Sequence, residues 1–491
     1  MEELRKTPLT THNLENYVAE INCIRGQSVF LNPDELPERI VAIGDIHGDL
    51  EALFSILLKS GIIDINGKWV AVNTFLVQTG DIFDKGRLKP PLSSVGEPQN
   101  GSLYMRRIVP YNIIDKHGNV QTLSNITGNH NFDFGEVGDE LVIIKFLTDL
   151  HIQATGQHGK FGRSRVLLCT GNHEFMNTSQ YDYLSDTPYE EVQRILQEGT
   201  FEELVSEIAK RNIKNPNGQP IVIPATATPE QLKKILIPYV GIHNIITSQY
   251  AHPMDAVLFG GPDFNIRREI FKQGRGYLAR KLACILNAVV VVGDFIFSHG
   301  GISSVNLDSI NDIREIQTIN DILQDYLLGN PTNKDDVIKY FMNPSSSILW
   351  NRNLGKEHEP DRLVCLDTLE FVRDNLGRPN LNIVIGHDIQ GSCIDPKADA
   401  DRNMPRVRSG WNRTNRDGTV DRCTVLPTSW CNNQIYRIDT GMSRMNNSPD
   451  YRNTNDGLIN SLIIELNPDG SKKKVMAMNG LIGLQTPIQK D

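Results

Sequence analysis

Close cysteine pairs are missing from this sequence. Its seven cysteines, Cys23, Cys169, Cys284, Cys365, Cys393, Cys423 and Cys431, are odd in number and scattered through 491 residues without a C-x-x-C. That pattern argues against a disulfide framework and against a zinc ribbon, so the expectation is reduced thiols. Long apolar runs are missing as well. None approaches the ~20 residues that span a membrane, and the opening MEELRKTPLT has no signal-peptide core. The expectation is a cytoplasmic or otherwise intracellular protein with no membrane partner. An excess of positive charge is the third absence: 50 Lys and Arg stand against 59 Asp and Glu, a formal net charge of -9. Broad nucleic-acid binding through phosphate neutralisation is therefore not expected.

What is present is an ordinary globular composition, 39% hydrophobic and 22% charged, with enough chain for one large core plus insertions. Residues 1–38 are polar and weakly periodic and read as an N-terminal extension. At 40–43 an apolar strand begins, and Leu50, Leu53, Phe54, Leu57 and Leu58 then fall on one helix face. Strands at 75–77 and 166–169 and a helix over 139–150 repeat the pattern, which argues for α/β architecture. Strands at 288–292 and 295–298 flank Gly293-Asp294, a hairpin signal, and further strands follow at 383–385, 435–438, 462–466 and near Val475. Residues 87–136 and 395–433 have little periodicity and read as long loop insertions, leaving a main domain over 39–480 and a tail at 481–491.

The polar residues cluster where the strands stop. Gly44-Asp45-Ile46-His47-Gly48-Asp49 follows the first strand, and in extended chain Asp45 and His47 face the same side, able to grip one metal ion. Gly80-Asp81-Ile82-Phe83-Asp84-Lys85-Gly86 follows the second; the two oxygens of Asp81 suit a bridge between two ions, and Asp84 can orient a histidine. In Gly171-Asn172-His173-Glu174 the amide of Asn172 offers a ligand oxygen and His173 a general acid. A rival, Gly128-Asn129-His130, follows no apolar strand and lies in an insertion. His299 and His387, each just past a strand and beside glycine, complete the set as imidazole ligands. Two divalent ions bring more positive charge than Asp45, Asp81 and a hydroxide cancel, and the remainder suits a phosphate ester attacked in line by that hydroxide. Lys85, Arg87 and Arg352 are the candidates for holding the phosphate oxygens.

In this order, over residues 39–445, the clusters resemble the calcineurin-like metallophosphoesterase superfamily, and within it the phosphoprotein phosphatase group. The segments 274–282, 349–352 and 436–443 look like bacterial-type, Shewanella-like Ser/Thr phosphatases. The resemblance implies a four-layer α/β/β/α sandwich. It implies one ion on Asp45, His47 and Asp81, and a second on Asp81, Asn172, His299 and His387, with His173 as general acid supported by Asp84. The ions implied are manganese, iron or zinc. The substrate implied is a phosphoprotein or a small phosphate ester. Lys85 departs from the Arg usual at its position. Two alternatives accompany the phosphatase reading: a nucleotide hydrolase of the diadenosine tetraphosphatase type, which generally reads G-N-H-D where Glu174 stands here, and an inactive scaffold. The arginines 402, 406, 408, 413, 416 and 422 suggest an acidic or multiply phosphorylated substrate.

Overall fold

The computed structural model describes residues 11–83, 113–114, 120–121, 140–156, 159–179, 271–308, 310–343, 346–355, 362–388, 413–414, 420–421, 427–442, 459–479 and 485–490. Its strands are β1 (Val29–Phe30), β2 (Arg39–Ile43), β3 (Thr74–Gln78), β4 (Ile113–Ile114), β5 (Val120–Gln121), β6 (Arg165–Cys169), β7 (Leu286–Asn287), β8 (Val289–Val292) and β9 (Phe295–Ser298). They continue as β10 (Asn382–Ile385), β11 (Arg413–Thr414), β12 (Val420–Asp421), β13 (Thr428–Trp430), β14 (Ile435–Arg437), β15 (Asn460–Leu466), β16 (Lys472–Asn479), β17 (Gln485–Pro487) and β18 (Gln489–Lys490). The helices used below are α1 (Thr11–Ala19), α2 (Leu50–Lys59), α3 (Glu140–Gly156), α4 (Asn172–Ser179), α5 (Tyr277–Ala283), α6 (Ile316–Leu328) and α7 (Arg362–Leu376).

Two seven-stranded sheets form the centre, in the orders β1-β8-β9-β10-β14-β13-β18 and β17-β16-β15-β2-β3-β6-β7. Alternation along each strand sorts its side chains between two cores. Ile40, Ala42, Phe75, Val77, Phe295, Phe297, Val384, Leu462 and Ile464 meet between the sheets. Their sequence neighbours Val41, Ile43, Leu76, Ile296, Ile383, Ile385 and Ile463 join the helices on the outer faces. A strand buried on both faces reads as an unbroken apolar run, which is why the central segments show no polar alternation. Each fully buried Phe or Ile here is worth roughly 1.5–3 kcal/mol relative to exposure. The result is the expected α/β fold, two mixed sheets stacked between helices.

Local signals explain the boundaries. α2 starts where the Asp49 carboxylate caps the Ala52 N–H at 3.1 Å. α3 runs past the predicted 150 to Gly156, and in this extension Ala154 is buried and His151 Nδ1 reaches the Val166 carbonyl at 2.8 Å. β8 and β9 pair antiparallel with Val292 opposite Phe295, a two-residue turn at Gly293, where φ is 58°. Both segments read as loop insertions contain a short antiparallel ladder, β4 with β5 and β11 with β12, of two residues per strand. Strands that short carry no readable period.

The cysteine expectation is corrected. Cys23 and Cys284 form a disulfide across 261 residues of sequence, with Cα atoms 5.0 Å apart, and Cys431 is also disulfide-bonded. Cys169 is a free, buried thiol. The pairing was invisible because only tertiary docking brings the N-terminal segment to the end of α5. That docking is extensive: the N–H groups of Ile24 and Arg25 both donate to the Cys284 carbonyl, Asn22 donates to Asp149 at 2.7 Å, and Arg25 pairs with Asp321 at 3.0 Å. Among the described residues no helix is long and apolar enough to cross a membrane. Mass spectrometry after iodoacetamide treatment of the denatured, unreduced protein should show Cys169 alkylated and Cys23 and Cys284 unmodified until a reductant is added. Alkylation of Cys23 without reductant would contradict the pairing.

Candidate metal centre

Parallel pairing decides where the residues after each strand go. β2 and β3 run parallel with Ile43 opposite Gln78, and β3 and β6 with Gln78 opposite Leu168. The segments 44–47, 80–83 and 171–174 therefore leave one sheet at the same edge. In the facing sheet β9, β10 and β14 are parallel, with Ile385 opposite both Ser298 and Arg437, so His299, His387 and Asp439 leave at one edge too. The two edges meet. The His387 N–H donates to both Asp45 carboxylate oxygens at 3.2 Å, and His299 Nδ1 lies 3.8 Å from Asp45 Oδ1. Gly44 permits the approach, since a Cβ there would lie 2.5 Å from the Ile438 carbonyl oxygen.

Asp81 sits at the middle. Its Oδ2 is 3.3 Å from His299 Nε2, 3.7 Å from His173 Nε2 and 3.8 Å from His47 Nε2. His299 Nε2 is also 2.7 Å from Asn172 Oδ1 and 3.1 Å from His387 Nδ1. Ligand atoms of His47, Asp81 and His173 lie within 4.8 Å of one another, as do those of Asp81, His299 and His387. The six residues expected to bind metal are thus brought together with His173, and Asp81 is common to both groups. His47, Asp81 and His387 all have left-handed φ, of 45°, 55° and 71°. Such conformations cost about 1–3 kcal/mol each for non-glycine residues and persist only where the surroundings impose them.

Glu174 supplies much of that imposition. Its buried carboxylate accepts four backbone N–H groups: Asp81 at 2.9 Å, Ile82 at 2.7 Å, Phe83 at 2.9 Å and Gly171 at 2.6 Å. One side chain therefore ties the loop of Asp81 to the loop of Asn172 and His173. Sequence reasoning used Glu174 only to weigh substrate classes and missed this role. Gln78 was missed entirely; its amide nitrogen donates to the Gly44 carbonyl at 3.3 Å and its amide oxygen accepts from Gly80 N–H at 3.0 Å. A buried polar residue at the end of an otherwise apolar strand was the available signal. Asp439, within 436–443, was given no role, although it is an acid two residues past a strand, as Asp45 is.

The charges are unevenly distributed. Burial, then Asp439 and Asp81, push the Asp45 carboxyl well above the usual range, and the two carboxyls of Asp45 and Asp439 share a hydrogen bond. Burial raises Asp439 to about 6. For Asp81 burial also acts upward, but the surrounding His173, His299 and His47 outweigh it and hold the carboxyl well below the usual range. Burial lowers His299, yet Asp81 prevails and raises it; burial and the neighbouring His299 and Arg352 lower His387. His387 Nε2 is buried and makes no hydrogen bond among the described residues. Imidazole nitrogens, carboxylates and an amide oxygen converging around an unused nitrogen fit a first-row divalent ion.

Of the other expected site residues, Arg352 is described and pairs with Asp388. Asp84, Lys85, Arg87, the rival 128–130 and the six arginines as a group lie outside the described residues apart from the backbone of Arg413.

Two tests follow from this geometry. In Glu174→Gln an amide NH₂ would face two N–H donors, so metal affinity should fall roughly 10–100-fold and folding stability by about 3 kcal/mol or more. Metal titration and chemical denaturation check this, and wild-type values in both would refute the clamp. The second concerns pH. Protons that Asp45 and Asp439 hold above the usual carboxylate range must leave before a cation binds, so affinity falls as pH drops through about 6. Calorimetric Mn²⁺ titration at about pH 5 and about pH 7.5 should give at least about tenfold weaker binding at the lower value. Equal affinities would contradict it.

Comparison with known proteins adds an independent line. Residues 38–390 match the family described as calcineurin-like phosphoesterase. Shewanella-like protein phosphatase 2 of Arabidopsis thaliana is 24% identical over 417 residues, 84% of this chain and 73% of that protein. Shewanella-like protein phosphatase 1 of Plasmodium berghei is 52% identical over 52 residues, 11% of this chain and 14% of its own length. Among solved structures, a cold-active protein-tyrosine phosphatase of a psychrophilic Shewanella aligns with 96% of this chain and 84% of its own at 14% identity and a TM-score of 0.44. With most of its length inside the matched region, the chain belongs to the calcineurin-like phosphoesterase family and is a hydrolase of phosphate esters.

Proposed function

We propose that the chain is a protein phosphatase working with two metal ions that share Asp81. The observation that carries this reading is the membership of Asp81 in both ligand groups, with His47 and His173 on one side and His299 and His387 on the other. One ion would be held by Asp45, His47 and Asp81 and the other by Asp81, Asn172, His299 and His387. Manganese, iron and zinc all suit these donors. When bound, such a pair polarises phosphoryl oxygens and lowers the pKa of water.

The remaining work falls to the chain. His173 has 20% of its side chain exposed, against 10% for His47 and none for His299, so it stands on the solvent side of the cluster. From there its imidazole can protonate the leaving oxygen, on a backbone anchored through the His173 N–H to Asp81 Oδ1 at 3.0 Å. Arg352, beside His387, would bind non-reacting phosphate oxygens. The relatives, named as protein phosphatases, support a phosphoprotein as substrate. The disulfide-bonded cysteines support an oxidising compartment.

Protein stripped of metal and reloaded with Mn²⁺ should release phosphate from para-nitrophenyl phosphate and from a phosphopeptide. Asp81→Asn should lose roughly 100-fold or more of that rate because one residue serves both groups. An Asp81→Asn variant as fast as wild type would sink the shared-ligand reading.

A further inference from the structure

The residue after His387 is an acid whose placement the metal centre does not explain. Asp388 forms an ion pair with Arg352 through Oδ1 and NH1, while the Asp388 side chain is 13% exposed and that of Arg352 is 54% exposed. The second carboxylate oxygen is seated against the turn that follows Arg352. A Cβ added to Gly355 would fall on it and come within 2.6 Å of Asp388 Cγ. That turn is closed by the Gly355 N–H donating to the Arg352 carbonyl at 3.2 Å. The carboxylate thus fills a space that only glycine leaves, with Oδ1 on the guanidinium.

The loop carrying Arg352 is itself fixed against the histidines. The Gly300 N–H donates to the Ile348 carbonyl at 2.7 Å, and the Trp350 ring meets the His387 ring edge-on at 6.1 Å between centroids. Backbone and ring hold the base of the segment, but neither constrains the long, half-exposed arginine side chain. A free arginine samples many rotamers and loses that freedom on gripping an anion. Its planar fork has five N–H donors, so an acceptor on one NH leaves the others for two oxygens of a phosphoryl group.

We propose that Asp388 is a positioning residue that presents Arg352 to the phosphoryl group, with Gly355 as the seat of its carboxylate. The proposal rests on the phosphatase reading above. Holding the guanidinium in place before substrate arrives removes part of the ordering cost of binding, so the effect belongs to substrate affinity more than to turnover.

The test compares Asp388→Ala, Arg352→Ala, the double variant, Asp388→Asn and Gly355→Ala in the Mn²⁺-loaded full chain. Readouts are KM and kcat for para-nitrophenyl phosphate, inhibition by orthovanadate, and bound metal. Asp388→Ala should raise KM about five-fold, weaken orthovanadate in proportion, and retain metal. It should add nothing in the Arg352→Ala background. Gly355→Ala, with both charged partners intact, should reproduce the effect, and Asp388→Asn, which keeps an accepting oxygen, should recover most of it. An equal rise in KM without Arg352, a fall in KM showing that the carboxylate competes with phosphate, or loss of metal showing action through His387 would each overturn the proposal. If the Mn²⁺-loaded wild type releases no phosphate, the phosphatase reading fails. The pair is then tested by calorimetric binding of inorganic phosphate, where equal affinity for wild type and Asp388→Ala overturns the positioning role.

Discussion

Register between parallel strands is the constraint on which everything else depends. Ile43 opposite Gln78, Gln78 opposite Leu168, and Ile385 opposite both Ser298 and Arg437 line up the carboxyl ends of six strands within two facing sheets. A slip of one residue in any of them would exchange the side chains of the inter-sheet core with those packed on the helices and carry a ligand away from the centre. The packing of both strand faces into separate cores, which resists slipping, is therefore also what aligns Asp45, Asp81, Asn172, His299 and His387. Packing between the sheets, through Phe75, Phe295, Phe297 and their neighbours, converts two lines of polar residues into one cluster.

That cluster is expensive in the absence of a cation. Buried carboxylates at Asp45, Asp81, Glu174 and Asp439 lie close together, and three non-glycine residues there have left-handed backbone. The protein answers locally. Four N–H groups converge on Glu174, histidines surround Asp81, and Asp45 shares a hydrogen bond with Asp439. A divalent ion would displace a proton there and meet the unused nitrogen of His387, so the strain and the charge are both oriented toward metal.

The sequence made the sheets and the family legible because both are written locally. Apolar runs of four or five residues stand out, and each is followed by Gly, Asp, Asn or His at the turn where it ends. Long-range partners were not legible. Glu174 looks like one more acid in a motif, and only the tertiary structure shows it binding the loop of Asp81, 93 positions away. The Cys23–Cys284 bond was missed for the same reason, and the reduced-thiol reading failed with it. Asp388 is a single acid beside a histidine in the sequence, and its bond to Arg352 depends on two loops meeting. Patterns reveal what a residue is near in the chain, while the chemistry here depends on what it is near in space.

The central claim is that one carboxylate, Asp81, joins two metal sites contributed by two sheets. Anomalous diffraction from crystals of the Mn²⁺-loaded protein, collected at the manganese edge, tests it most directly. The account predicts two peaks roughly 3.5–4 Å apart, each about 2.0–2.2 Å from an oxygen of Asp81. A single peak, or two of which one lies out of reach of Asp81, would contradict it.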